Sequence, residues 1–462
     1  MATTPAVSAL AAMKSLETDA TPSQPVPKQI LLYAAPHTSP PSDLTQEKQL
    51  HAHITATAQR DPTVAVELIL SRIQWASPWR DGQPHILCFE RLRFELDIVQ
   101  LRLRGTLNYS TLDNGLYNAL LNSITQPALD KLQLRQSYYP ADQSPDVLAH
   151  KRQAVALARL LIERIQRARP VHALLFANMD YFQNWPLEEI CPGIGIKTLC
   201  LSREHYVSEF LRKRKQAIFR ESGFSYRGDG IALFGECSLP VFTDTGVCPP
   251  EKLFVTGAPR MDRWREHKPD AAKLDTITLL SFSGGSYNAS ECYRDVLNTA
   301  VLLSLSPVAR KQKFIVKCKS TKERDTVRQM LLAYPKHKLQ PRLGDIFPFL
   351  CASRCVIGIN SLALLEALLT EAQIICPYWA DARQDSTGLV LSPDDKETAA
   401  LVHFVESPRA MQKQIERICK SRPRLLDTGT RQRRIDLFRR YFHYPANKTS
   451  TQSVEEFIRK VI

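Results

Sequence analysis

Short apolar runs recur along this chain, separated by longer stretches with helical spacing. Residues 29–35, His85–Glu90, 171–176, Lys197–Leu201, 231–234 and 253–256 each read as a strand. Residues 44–75 and 146–168 carry the three-to-four-residue spacing of helices. Short, continuously apolar strands alternating with helices predict a parallel sheet covered on both faces. The pattern then breaks. Residues 262–275 are charged and contain Pro269, which predicts an interdomain linker. The alternation resumes with 276–282, Lys313–Lys317, 354–359 and Gln373–Pro377. The expectation is an α/β chain of two Rossmann-like, doubly wound domains facing across a cleft. Its parts are a disordered tail at 1–27, a domain at 28–265, a second domain at 276–440 and a closing helical segment at 441–462.

Four strand ends carry candidate chemistry, because open α/β sheets bind ligands beyond the carboxyl ends of their strands. After 354–359 the chain enters a helical pattern through Asn360 and Ser361, with Glu366 five residues further on. Such a helix start offers free N–H groups and a positive dipole end to a phosphate, and Glu366 is within reach of a sugar hydroxyl. The same residues also suit an ordinary capped crossover helix. Ser283, Gly284 and Gly285 follow 276–282, and small residues there let backbone N–H groups approach a phosphate. Lys317 and Lys319 end another strand and would neutralise a diphosphate leaving group, or be a solvated strand end. Val255-Thr256-Gly257-Ala258-Pro259-Arg260-Met261-Asp262 reads as a strand-ending turn.

The order of these features resembles the bacterial surface- and capsule-polysaccharide glycosyltransferases of the GT-B fold. That broad superfamily also holds teichoic-acid glycerophosphotransferases and nucleotide-sugar 2-epimerases. The resemblance rests on "VTGAPRMD", "FIVKCK" and "GINSLALLEAL" and covers roughly residues 170–380. It implies a metal-independent glycosyltransferase without a cofactor, acting in surface polysaccharide synthesis. The partners would be a nucleotide-sugar donor and a glycan or lipid-linked acceptor. Ser283, Gly284, Gly285, Lys317, Lys319, Asn360, Ser361 and Glu366 would line the donor site. The tail from Tyr441 would be the family's closing helix, which packs back toward the first domain. The chain departs from the pattern where many relatives carry a "HP" pair, having Lys317-Cys318-Lys319 instead. A nucleotide-sugar 2-epimerase, a polyol-phosphate transferase and a non-catalytic glycan- or membrane-binding relative therefore stand as alternatives. An inverting transfer needs a proton acceptor from the first domain. Glu204 and Asp180, which follow apolar strands, are the candidates, with His205 and Glu90 behind them.

Composition narrows the setting. The 462 residues include 11 cysteines with no C-x-x-C pair, which predicts reduced, buried thiols and a cytoplasmic location. No signal peptide or run of about 18 apolar residues is evident. The net charge of +14 is densest at Arg212, Lys213, Arg214 and Lys215. That patch reads either as a solvated helix face or as a basic amphipathic helix resting on the anionic inner membrane surface. No nucleic-acid motif accompanies the charge.

Overall fold

The computed structural model describes residues 42–90, 94–125, 137–281, 290–359, 361–384 and 386–462. The tail at 1–27 and the strand expected at 29–35 lie outside the described residues. The chain divides into two compact units. Among the described residues, the first comprises 42–267 with Arg439–Ile462, and the second comprises 268–438.

The first unit holds strands β1 (His85–Glu90), β2 (Asn108–Asp113), β3 (Ala173–Phe176), β4 (Lys197–Leu201), β5 (Gly230–Leu233) and β6 (Leu253–Val255). They form one parallel sheet in the order β2-β1-β3-β4-β5-β6. The second unit holds β7 (Thr276–Leu280), β8 (Lys313–Lys317), β9 (Leu339–Arg342), β10 (Ser353–Ile357), β11 (Gln373–Pro377) and β12 (His403–Val405). They form a second parallel sheet, β12-β11-β10-β7-β8-β9. Each sheet begins at an inner strand and reverses direction there, which puts crossover helices on both faces. The fold is therefore α/β with two Rossmann-like, doubly wound domains.

Several elements differ from expectation. The helical stretch at 44–75 is two helices, Ser42–Arg60 and Pro62–Leu70. Asp61 separates them, its carboxylate accepting from Thr63 N (2.9 Å) and Val64 N (3.3 Å) at the start of the second. β2 escapes a hydrophobic search because its buried positions include Asn108, Ser110 and Thr111. Two of these side chains hold the preceding loop. Asn108 bonds Arg80 N (2.8 Å), Arg80 O (2.8 Å) and Gln83 O (3.0 Å), and Ser110 bonds Ala76 N (2.9 Å) and the His85 ring (2.8 Å).

The expected linker begins too early. Asp262 has no exposed surface and belongs to the first unit. Its carboxylate accepts from Ser450 N (2.8 Å), Thr451 N (2.9 Å) and Thr451 Oγ1 (2.7 Å), the first turn of the Ser450–Val461 helix. Thr449 and Gln452 complete that helix start with a reciprocal capping box. Further along the helix, Glu455 accepts from Thr106 N (2.6 Å), Leu107 N (3.0 Å) and the Tyr109 hydroxyl (3.0 Å). Arg260 reaches the other way and forms a buried ion pair with Asp97 (2.7 Å). Gly257 sits at φ +80° with a missing Cβ that would fall 2.4 Å from His443 O. The "VTGAPRMD" segment is thus the anchor of the C-terminal residues.

One buried carboxyl in this unit has no such partners. Glu188 is 5% exposed and its Oε1 has no hydrogen-bond partner among the described residues. Burial pushes its carboxyl up to about 8, against the pull of the Arg227 guanidinium.

Two outcomes follow from these contacts. Asp262→Ala leaves three buried donors without an acceptor and should cost about 3 kcal/mol or more in chemical denaturation. It should also speed hydrogen exchange at the Ser450 and Thr451 amides; a loss below ~1 kcal/mol would show that the cap is dispensable. For Glu188, a raised folded-state pKa means stability fully present below the ordinary value of 4.5 and lost as pH rises through about 8. Glu188→Gln should therefore gain thermal stability over wild type progressively across that window. A pH-independent difference would contradict the assignment.

Candidate functional site

In the first sheet the strand order reverses between β1 and β3, and a polar crevice lies beyond their carboxyl ends. Asn114, Asn178, Tyr181 and Asn184 line it together with Phe89 and Phe176, and the cavity of about 10 Å³ has room for one water. Asn184 Nδ2 donates to Asn178 O (2.5 Å), which fixes the loop after β3. The Asn178 Oδ1 atom is buried without a partner among the described residues. Its Nδ2 donates to Glu204 Oε1 at 3.5 Å, and Arg203 pairs with the same oxygen at 3.2 Å. Glu204 is half exposed, so its other oxygen is open to a ligand.

The two candidate proton acceptors are placed differently. Asp180 is 4% exposed and pairs with Lys215 (2.5 Å) and the Ser137 hydroxyl (2.7 Å), so both charges of that pair are internal. Lys215 therefore leaves the expected basic surface patch. Within that patch, Arg212 donates to Val207 O (2.8 Å), Lys213 pairs with Glu209, and Lys213 and Arg214 lie on the exposed side of the Glu209–Ser222 helix. His205 is buried, with Nε2 against Tyr441 O (2.8 Å) and Nδ1 against Ser238 Oγ (3.0 Å). Burial pushes its imidazole down to about 3, despite the Tyr441 carbonyl, so it stays neutral. Glu90 ends β1 opposite Asp113. Burial, then the carboxylates of Glu95 and Asp113, raise its carboxyl, while Arg102 lowers it. Asp113 also lies near Glu47 and His51, and the ligand atoms of these three fall within 4.8 Å of one another. Its Oδ1 caps the next helix at Gly115 N (2.7 Å).

In the second sheet the reversal falls between β7 and β10. Ser283, Gly284, Gly285 and Asn360 lie outside the described residues. Their neighbours show how closely the two strands approach: a Cβ at Gly358 would meet the Leu280 side chain at 2.9 Å. Ser361 caps the following helix through Ala363 N (3.3 Å). That helix runs only from Leu362 to Glu366, then tightens into a 3₁₀ turn at Ala367–Leu369, so its dipole is short. Glu366 is buried at its end. Lys317 is half-buried at the end of β8, its ammonium on Cys318 O (2.8 Å), and Lys319 is exposed with its N–H on the Glu323 carboxylate.

Sequence reasoning missed two features. Asn178 lies between the β3 run and the Asp180 candidate, and a lone amide at a strand end was the available signal. Asp381 lies after β11, yet its carboxylate accepts from Glu291 N and Cys292 N (both 2.9 Å) at the start of the Ser290–Leu305 helix. An internal carboxylate thus takes the helix terminus that follows β7, and no local signal reveals it. None of the eleven cysteines is in a disulfide. Among the described residues no helix is long and apolar enough to cross a membrane.

No family model matches the chain, and no curated protein matches it. Solved structures of similar fold exist at low identity. A TarM variant from S. aureus, crystallised with fondaparinux, alpha-GlcNAc-glycerol and UDP, is 13% identical with a TM-score of 0.39. That match covers 66% of this chain and 58% of TarM, so the chain spans less than two thirds of that protein. The UDP-GlcNAc 2-epimerase of Methanocaldococcus jannaschii is 10% identical over 82% of this chain and 99% of its own, with a TM-score of 0.46. The lipopolysaccharide outer core galactosyltransferase WaaB is 8% identical over 82% of this chain and 100% of its own, with a TM-score of 0.39.

Proposed function

We propose that this chain is a glycosyltransferase that moves a sugar from a nucleotide-sugar donor to a glycan or lipid-linked acceptor in surface polysaccharide synthesis. One observation carries the reading. The three donor-side segments singled out in the sequence follow β10, β7 and β8, which are adjacent strands at the reversal point of the second sheet. That is where a doubly wound sheet binds a nucleotide.

Ser361 and the backbone around it hold a donor phosphate, together with Asn360 and the segment Ser283-Gly284-Gly285. Because Asp381 takes the N–H groups of the Ser290–Leu305 helix, the β10 loop is the freer phosphate cradle. Glu366 accepts a hydroxyl of the ribose or donor sugar. Lys317 and Lys319 neutralise the departing phosphate, which lowers the barrier by electrostatic stabilisation of the charge that develops there. On the acceptor side Glu204 takes the proton of the attacking hydroxyl, with Asn178 and Arg203 orienting it. Asp180 serves through Lys215 to position the loop that carries Asn178. No metal or cofactor enters this scheme. The chain acts in the cytoplasm, and the exposed cations Lys213 and Arg214 face an anionic membrane that carries the acceptor.

The test is a thermal-shift screen against UDP, GDP, CDP, CMP and dTDP, followed by product analysis with the matching nucleotide sugar. One nucleotide should raise the melting temperature. Glu366→Gln and Lys317→Ala should each reduce donor turnover by about 100-fold or more while the melting temperature holds. Glu204→Gln should lower kcat by about 100-fold or more with little change in the donor KM. Failure of every nucleotide to bind would overturn the reading. Near-normal turnover in both donor-side variants would remove those residues from the site. An isomerised sugar nucleotide formed without acceptor would assign the chain to epimerisation instead.

A further inference from the structure

A second cavity in the first unit is unrelated to the strand-end crevice. The Pro145–Ala168 helix, the Trp185–Ile190 helix and the loop after the Glu209–Ser222 helix border an open cavity of about 730 Å³. Its lining shares no residue with the Asn178 crevice. One wall comes from residues just before β5, toward the amino ends of the strands.

The charge around this cavity is unbalanced. Lys151, Arg152 and Arg227 line it against one carboxylate, Glu189, which pairs with Arg227. Lys151 is largely buried, with its ammonium at the cavity wall. It donates to two backbone carbonyls, Pro140 O (3.0 Å) and Asp142 O (2.7 Å), and lies 5.2 Å from the centre of the Trp185 ring. An ammonium has three N–H donors. The third has no acceptor among the described residues, and the Asp142 carboxylate favours the charge only from beyond ion-pair distance. Burial and the neighbouring Arg227 guanidinium disfavour its charged form, against the pull of Asp142. Arg152 is exposed at the cavity and has no hydrogen bond or ion pair among the described residues. Like charges gathered at one cavity repel one another, and an anion in the cavity relieves that repulsion.

We infer that this cavity binds a small organic phosphate, with its phosphoryl group held by Lys151, Arg152 and Arg227. Three convergent cations, two of them guanidinium forks, suit a group with more than one negative charge and several acceptor oxygens. Leu148 and Val155 offer an apolar wall to the organic part. The volume is that of a small-molecule site. This site stands whether or not the chain transfers sugars.

The experiment is calorimetric titration and thermal shift of the full chain with phenyl phosphate, inorganic phosphate and benzoate at constant ionic strength. Phenyl phosphate should bind and raise the melting temperature, inorganic phosphate should bind more weakly, and benzoate weakest. Arg152→Glu should weaken phenyl phosphate binding by about tenfold or more, with the ligand-free melting temperature unchanged. Lys317→Gln, in the second unit, should leave binding intact, which separates this cavity from the proposed donor site. Absence of binding, equal binding in Arg152→Glu, loss of binding in Lys317→Gln or benzoate as the tightest ligand would each overturn the inference.

Discussion

The capping of the Ser450–Val461 helix by Asp262 is the constraint around which the first unit is arranged. A helix start carries N–H groups with no partner inside the helix, and where those groups are buried something else must accept from them. Asp262 takes the first two, the Thr449 hydroxyl takes the Gln452 N–H, and the Gln452 side chain takes the Thr449 N–H. The chain leaves the first unit after His267 and returns at Arg439, so this cap joins residues 188 and 189 positions apart. Once the helix docks, its other contacts fall into place. Glu455 satisfies the donors at 106–109, and Phe457 lies 4.8 Å from the Phe254 ring. Gly235 and Gly257 leave room for the passing carbonyls of Tyr441 and His443, where a Cβ would stand 1.8 Å and 2.4 Å away. A segment that looked like a turn beside a ligand is the clasp of a discontinuous domain.

The parts of the fold legible in sequence are those whose stability comes from continuous apolar burial. β4, β8 and β11 lie within the residues their hydrophobicity marks, because a strand covered on both faces must be apolar throughout. β2, β9 and β12 were not legible. β2 is buried but spends its side chains on hydrogen bonds to a loop. β9 and β12 are short edge strands of three or four residues, only partly buried. The candidate site divides in the same way. That ligands gather at strand ends is a property of topology, so the loops could be named. The fate of a carboxylate within a loop depends on partners far along the chain. Lys215, 35 residues from Asp180, turns that residue inward, and nothing near Asp180 announces it.

The second unit shows how electrostatics redistributes a familiar arrangement. In a doubly wound sheet the helix after the first strand usually presents its N-terminus to a phosphate. Here Asp381 brings its carboxylate to that terminus, and Trp379 donates to Asp295 one turn further along the helix (3.1 Å). The loop after β11 is therefore tied to the helix after β7. Binding of an anion at that terminus would have to displace Asp381, whereas among the described residues the turn at Ser361 engages its own hydroxyl with Ala363 N. The difference in what each terminus must give up favours the β10 loop.

Buried charge separates structure from function across the first unit. Asp97 with Arg260, Asp180 with Lys215, and Asp262 and Glu455 with backbone donors are all internally satisfied. Groups of this kind break the fold when altered, and their partners leave little capacity for a ligand. Asn178 Oδ1 is different, because it is buried and has no partner among the described residues, and the Lys151 ammonium at the cavity wall has acceptors among them for only two of its three protons. A polar atom left in that state raises the free energy of the ligand-free protein. Any molecule that supplies the missing partner recovers that free energy on binding. Unsatisfied groups that line a cavity, more than the ionised residues as such, mark where this chain has reason to bind something.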